Sequence, residues 1–222
     1  MSGNGDWPAI AREEMRFFGD VSAAISHEIN NRMAVIYEKA GLLEDLATRL
    51  AQGKEVDPER FAMQSRKILE QVRLAREVVR NLNRFAHSVD VDQATVELDE
   101  LLEFVVALFA RKAAMVEATV SVAKASKAVA LTTSPFVLET LVGRSLDIAL
   151  AHVVEGGTVI VAAEASDEHV TLTFSGLTGV NEPIEPPQPA QGVAALLEWL
   201  GARFRSAPDG TELVLEIPDS GR

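Results

Sequence analysis

Apolar residues recur at alternating spacings of three and four along the first ninety residues. One row runs from Phe18 to Leu50 and a second from Phe61 to Val89. The step from Ile29 to Met33 is four where three is due, so the register of the first row slips by one residue there. Heptad spacing of this kind is typical of amphipathic helices that pack along a seam. The pattern therefore predicts two long helices.

The junction between the two rows predicts how these helices are arranged. Asp57 stands at an N-cap position and Pro58 at the first helical position, while residues 52–56 form a short link that requires antiparallel helices. A single hairpin would leave apolar rows uncovered, so we expect a homodimer that forms a four-helix bundle. The second apolar rows that favour the bundle contain Leu42, Leu46, Leu69, Val78 and Phe85.

The chain after residue 92 changes from heptads to a mixture of short strands and helices. Alternating β-branched segments predict strands at 95–98, 116–122, 128–131, 158–163, 170–174 and 212–217. Helices are expected at 99–113, 135–152 and 190–202, the second of them with Ser134 as its N-cap, and a proline-rich loop at 180–189.

This succession predicts an α+β protein with two domains. We expect a loose leader at residues 1–11, a helical hairpin for dimerisation at 12–90, and an α/β sandwich at 95–222.

The composition of the chain limits the cellular compartment and the kinds of partner that we expect. The chain has no cysteine, and it lacks a signal peptide or an apolar run long enough to span a bilayer, so a cytoplasmic protein without a membrane partner is expected. The net charge of −12 argues against nucleic acid. Residues 1–90 hold 13 basic and 14 acidic side chains, which concentrates the negative charge in the second half.

Residues 26–33, Ser-His-Glu-Ile-Asn-Asn-Arg-Met, carry the candidate chemistry. If Ile25 and Ile29 occupy seam positions d and a, His27 takes position f and faces solvent. Asn31 lies four residues further and shares its helical face, and the adjacent Glu28 can hold the imidazole.

This segment resembles the phospho-acceptor box of two-component sensor histidine kinases, whose core reads His-Glu-(Ile/Leu)-x-Asn-Pro-Leu. His27, Glu28, Ile29, Asn31 and Met33 fit that pattern, and Arg32 stands where the family usually has proline. The resemblance implies that His27 carries a phosphoryl group on nitrogen. The order of strands and helices in the second half also resembles the ATP-binding domain of these kinases.

The nucleotide-binding motifs of the kinases are missing from that second half. The helix expected to hold Mg-ATP has no asparagine between residues 141 and 151, and the turn at 174–179 has no aspartate for adenine. Of the glycine-rich phosphate loop, only the segment Gln191-Gly192-Val193 is left. Asp147 in place of a ligand would repel a triphosphate. We therefore expect no ATP binding.

A phospho-acceptor box without a nucleotide site resembles the dimeric histidine phosphotransferases of bacterial phosphorelays. This resemblance implies that His27 is the nucleophile towards the aspartyl phosphate of a receiver domain, including the receiver of a hybrid histidine kinase. Glu28 would orient the imidazole, and Asn31 and Arg32 would contact the phosphoryl group or the receiver loop. No cofactor is expected on this chain, because Mg²⁺ would be held by the receiver's own acidic pocket.

Basic residues of the second helix are candidate contacts for an acidic receiver. Arg73, Arg76 and Arg80 lie at steps of three, four and seven residues, so several share a face. The alternative is a solvated face held by i,i+4 pairs, such as Glu77 with Arg73.

Two other functions stay open on the sequence. One is a divergent sensor histidine kinase core that still binds ATP. The other is a non-catalytic regulator that docks on a kinase or receiver without accepting phosphate. An exposed His27 with Glu28 and Asn31 speaks against the second, because a regulator of that kind has no need of them.

Overall fold

A computed structural model of the chain describes residues 7–166, 168–180 and 190–219. It confirms the α+β class and the helical hairpin. The helices are α1 (Trp7–Ala51), α2 (Pro58–Ser88), α3 (Leu98–Met115), α4 (Pro135–Ala151) and α5 (Ala190–Leu200). The strands are β1 (Ala94–Glu97), β2 (Thr119–Ala123), β3 (Ala130–Thr133), β4 (Thr158–Ala165), β5 (His169–Ser175), β6 (Arg203–Ser206) and β7 (Glu212–Pro218).

The chain forms two compact units whose boundaries differ from the expected ones. One unit is the hairpin Val21–Arg84, and the other combines Met1–Asp20 with Phe85–Arg222. The beginning of α1 and the end of α2 therefore belong to the α/β unit. Residues 7–11, expected within a loose leader, are helical, and residues 1–6 lie outside the described residues.

The hairpin unit begins its second helix as the sequence predicts. The Asp57 carboxylate accepts a hydrogen bond of 2.9 Å from the backbone N–H of Glu59, which satisfies one of the free donors at the start of α2. Across the hairpin, Arg32 donates to Gln71. Leu46 and Gln64 are buried in this unit, whereas many seam residues are open to solvent.

The α/β unit is built on a five-stranded mixed sheet with the order β2-β4-β5-β7-β6. Strand β2 runs parallel to β4, and the other neighbours are antiparallel. Helices α3 and α4 pack against the sheet. Strands β1 and β3 form a separate antiparallel pair, in which Val96 lies opposite Leu131.

Three local predictions of this half need correction. Strand β6, Arg203–Ser206, was not expected, because four residues with two exposed arginines give little apolar alternation. Strand β2 starts at Thr119, since the residues before it form the end and C-cap of α3. Ser134 occupies the N-cap position of α4, but its side chain makes no capping hydrogen bond. The predicted proline-rich loop lies mostly outside the described residues.

A cluster of aromatic rings joins the ends of both long helices to the α/β unit. Phe17 and Phe85 are fully buried, with their ring centroids 5.6 Å apart. Phe18 of α1, Phe109 of α3 and Phe136 of α4 complete the cluster. The Phe17 ring lies where a side chain at Gly143 would stand, so only glycine fits at that point of α4. These contacts are the reason why residues 7–20 and 85–88 belong to this unit.

Candidate functional site

His27 lies in the hairpin unit, in the middle of α1, and its side chain is exposed. Two residues before it, Ile25 is only 4% exposed, and two residues after it, Ile29 is half-buried. Residues two positions apart on a helix point in widely different directions, so this burial pattern turns the imidazole away from the packed face. Among the described residues, no side-chain hydrogen bond holds the ring. Its exposure agrees with the predicted position f.

Glu28 is engaged by Arg32 and makes no hydrogen bond to His27. The Arg32 guanidinium donates to the Glu28 carboxylate at 3.0 Å and to the Gln71 amide oxygen of α2 at 3.3 Å. The expected orientation of His27 by Glu28 is not seen, because consecutive residues on a helix do not face each other whereas residues i and i+4 do.

The two remaining residues of the predicted box have different surroundings. Asn31 is exposed and shares the helical face of His27. Arg32 is half-buried, with its side chain 31% exposed. Its Nε is buried and has no hydrogen-bond partner among the described residues. Asn31 is therefore placed to contact a group bound at His27, while Arg32 is held in the hairpin.

The arginines of α2 fall into two environments. Arg73 forms ion pairs with Glu70 at 2.9 Å and with Glu77 at 2.6 Å. This arrangement matches the alternative interpretation of the sequence, in which the arginines belong to a solvated face held by pairs with nearby glutamates. The hydrogen bond from Arg73 lowers the pKa of Glu70. Arg76 and Arg80 are exposed and line a groove of the hairpin instead.

This groove, which we call the seam groove, follows the predicted seam between α1 and α2. Its volume is about 530 Å³. Several of its apolar side chains are open to solvent in the single chain: Met33 is 54% exposed, Val79 42% and Val72 40%. The groove is lined by Ile29, Met33, Ile36, Val72, Ala75, Arg76, Val79, Arg80 and Asn83.

In the α/β unit, the helix expected to hold nucleotide carries a buried ion-pair network. Arg144 of α4 is 6% exposed. Its Nε donates to Glu13 at 2.6 Å, and its Nη1 donates to Asp20 at 2.9 Å and to Asp147 at 3.0 Å. Glu13 and Asp20 come from the first part of α1. Lys112 of α3 pairs with Asp147 on the other side.

The network fixes the charge of Arg144. Burial lowers the pKa of the guanidinium, but the hydrogen bonds to Asp20, Asp147 and Glu13, together with the charge of Glu13, raise it further than burial lowers it. Arg144 and Glu13 were not predicted from the sequence. The available signal was an arginine within a mostly apolar helix, and that helix is buried nearly all round.

The predicted loss of ATP binding stays a prediction. The structure describes α4 but not the whole segment between β5 and α5, where the expected lid lies. Arg144 and Asp147 of α4 are both engaged in ion pairs, and the buried Glu139 of the same helix accepts a hydrogen bond from Ser88. Residues 181–189, which include most of the expected lid, lie outside the described residues, as does the Gln191 side chain. Within the described part of the chain, no three His, Cys, Asp or Glu side chains come together as a metal site.

Comparison with known proteins finds similar solved structures only. No family model matches the sequence, and no curated protein does. The chain is similar to histidine kinase AdeS of Acinetobacter baumannii at 12% identity, over 82% of this chain and 96% of that one, with a TM-score of 0.46. It is similar to the catalytic domain of histidine kinase ThkA at 16% identity, over 58% and 97% of the two chains, with a TM-score of 0.48. Full-length ShkA in complex with AMPPNP matches at 17% identity and a TM-score of 0.48, over 85% of this chain and 45% of that chain.

These neighbours are catalytic domains or larger parts of histidine kinases. With identities of 12–17% and TM-scores of 0.46–0.48, the similarities do not identify the activity of this chain. No helix within the described residues is both long and apolar enough to cross a bilayer.

Proposed function

We propose that the protein is a cytoplasmic histidine phosphotransferase of a phosphorelay, which passes a phosphoryl group between receiver-domain aspartates through His27 without using ATP. The observation that carries this proposal is the exposure of His27 on the hairpin, within the box His27-Glu28-Ile29-x-Asn31. A nucleophile that exchanges phosphoryl with large partners must be open to solvent, and a histidine that only packed a core would be buried.

The transfer requires one free nitrogen of the imidazole. Its lone pair attacks the phosphorus of a receiver's aspartyl phosphate, an N–P bond forms, and the bond between phosphorus and the aspartate oxygen breaks. The aspartate leaves as a carboxylate. The second receiver reverses these steps, since its aspartate oxygen attacks and His27 leaves. Asn31, one turn away on the same face, can donate a hydrogen bond to the transferred oxygens.

The proposal assigns the Mg²⁺ site to the receiver domain and the recognition of that domain to exposed arginines of α2. The acidic pocket of the receiver would hold Mg²⁺ and neutralise the charge of the phosphoryl group during transfer. Arg76 and Arg80 are exposed and can meet acidic side chains of the receiver. Arg73 is shared between Glu70 and Glu77, so we assign it a smaller part in docking than the sequence suggested.

The proposal includes a homodimer built on the seam groove. Its exposed apolar residues belong to the row that the heptad pattern assigns to a helix seam. A second copy of the hairpin would offer the same row, so two copies can cover each other with a self-complementary surface. The dimer then buries residues such as Met33 and Val79, which the single chain leaves open.

The test of the function mixes the purified chain with a panel of phosphorylated receiver domains. We expect label to move to the chain from at least one receiver, on histidine, as an acid-labile and base-stable phosphate. Incubation with radiolabelled ATP and Mg²⁺ alone should leave the chain unlabelled. Label from ATP alone would place the divergent kinase first, and stable receiver docking without any label would favour the non-catalytic regulator.

A second measurement concerns nucleotide binding. We expect no change in melting temperature with millimolar Mg-ATP, because the sequence lacks the motif residues and Arg144 and Asp147 of α4 are bound in ion pairs. A ligand at about 100 times its Kd would stabilise the fold by about 2.7 kcal/mol, which a melting curve resolves easily. A clear upward shift with Mg-ATP, absent with magnesium chloride alone, would contradict this expectation.

A further inference from the structure

The hairpin unit has a second cavity, near the link that joins α1 to α2. Its volume is about 350 Å³, which lies within the range of pockets that hold small ligands. We call it the tip pocket. Side chains from one face of each helix form its two walls: Leu42, Asp45, Leu46 and Arg49 on α1, and Arg60 and Gln64 on α2.

The tip pocket and the seam groove lie on different sides of the hairpin. The seam row of α1 passes through Ile36 and continues at Leu43 and Leu50. The wall of the tip pocket contains Leu42 and Leu46, which belong to the second apolar row. Neighbouring positions on a helix are turned by about 100°, so this wall faces away from the seam row. A dimer that covers the seam groove therefore leaves the tip pocket open.

A buried amide without a partner lies in the wall of the tip pocket. Gln64 is 8% exposed, and its Oε1 is buried and has no hydrogen-bond partner among the described residues. Such an acceptor is costly, because it has lost water and gained nothing in exchange. An N–H group of a ligand would remove this cost, and the amide nitrogen of Gln64 can donate to a carbonyl oxygen in return. A peptide group therefore satisfies both ends of this side chain.

Three charged side chains of the tip pocket are exposed, and they form no ion pair among the described residues. These are Asp45, Arg49 and Arg60. Asp45 and Arg49 lie four residues apart on one helical face and can neutralise each other, which leaves Arg60 as an uncompensated cation. A singly charged carboxylate matches this excess, and a guanidinium binds a carboxylate through two parallel hydrogen bonds.

We propose that the tip pocket binds an acylated amino-acid residue with a free carboxylate, as found at the C-terminus of a peptide or in an N-acyl amino acid. Gln64 binds the peptide group, Arg60 the carboxylate, and Leu42 with the buried Leu46 an apolar side chain. Residues four apart on a helix have Cβ atoms about 6 Å apart, which suits two groups of one ligand residue. This inference does not depend on phosphotransfer at His27.

The first test titrates N-acetyl-L-leucine into the full chain and follows backbone amide shifts by nuclear magnetic resonance. A ligand of this size is expected to bind with a Kd of about 1 mM, and the shifts should concentrate at residues 42–49 and 60–64. N-acetyl-L-leucinamide lacks the charge and N-acetylglycine lacks the apolar side chain, so each should bind at least about tenfold more weakly.

A longer probe distinguishes the two sources of this chemistry. The acetylated tetrapeptide Ala-Ala-Ala-Leu offers the same terminal residue with a chain in front of it. Tighter binding of the tetrapeptide than of N-acetyl-L-leucine supports the C-terminus of a protein as the ligand. Equal affinity supports a free N-acyl amino acid.

Two variants test the assigned contacts. Gln64→Leu and Arg60→Met should each weaken the binding of N-acetyl-L-leucine by about tenfold or more. Arg66→Met is the matched control, because Arg66 is an exposed arginine of the same helix that pairs with Glu59 and lies outside the pocket lining. Since Arg60 is exposed, Arg60→Met keeps the fold and decides the test even where Gln64→Leu does not fold.

Four results overturn the proposal. The first is the absence of shifts at the tip pocket up to about 10 mM N-acetyl-L-leucine, tenfold above the expected Kd. The second is equal binding of N-acetyl-L-leucinamide, and the third is an equal loss of affinity in Arg66→Met and Arg60→Met. The fourth is binding that disappears at protein concentrations where the chain is dimeric, because a second copy then covers the pocket.

Discussion

His27→Ala should abolish phosphoryl acceptance from every receiver domain that labels the wild type. The reason is chemical, because alanine has no lone pair to form the N–P bond. The fold should be unaffected, since the side chain is exposed and carries no hydrogen bond among the described residues. Surface substitutions of this kind change the free energy of unfolding by about 0.5 kcal/mol or less. The measurement is transfer of label from a phosphorylated receiver, with size-exclusion chromatography and a melting curve as checks on the fold.

Alanine variants of Asn31 and Glu28 test what each neighbour of His27 contributes to the rate of phosphoryl transfer. Asn31→Ala should slow transfer to a rate between those of the wild type and His27→Ala, because Asn31 shares the face of the imidazole. Loss of a proton-handling group typically slows a reaction by about 10²–10⁴-fold. Glu28→Ala should slow phosphoryl transfer by less than this, because Glu28 is bound to Arg32 and not to His27. Acid-labile, base-stable phosphate on His27→Ala would show that another residue is the acceptor, and the proposed function would fail.

Ile36→Asp should convert the dimer to a monomer or prevent folding at micromolar concentration. Ile36 is a half-buried residue in the lining of the seam groove, and two copies of it enter a symmetric seam. An unpaired charge buried in such an interface costs several kcal/mol. A loss of about 3 kcal/mol already raises the Kd of the dimer more than about 100-fold. Light scattering or analytical ultracentrifugation over a dilution series gives this Kd directly.

Tyr37→Asp is the matched control for the seam. Tyr37 follows Ile36 directly but is 84% exposed and lies outside the groove lining, so the same charge at this position should leave the dimer intact. A wild-type chain that is monomeric and stable at micromolar concentration would refute the dimer. Equal weakening by both substitutions would show that the interface is not the seam groove.

Periodicity along the chain predicted most of the architecture. A helix or strand that buries one face places apolar residues at a regular spacing, which is three to four residues in a helix and two in a strand. This spacing can be read along the whole element from the sequence alone. The cap at Asp57, the hairpin of β4 with β5 and the exposure of His27 follow from such local rules, and the structure confirms them.

The sequence by itself determined which residues are candidates for the proposed chemistry, since the box around His27 is a local pattern on one helix. Only the tertiary structure decided that Arg32, which pairs with Glu28 one turn away on the same helix, also donates to the side chain of Gln71 across the hairpin. It also decided that Glu13 meets Arg144, although 131 positions separate the two residues. No periodic pattern encodes such a contact, since it arises where two distant elements pack and one cation stabilises a carboxylate that burial alone would disfavour.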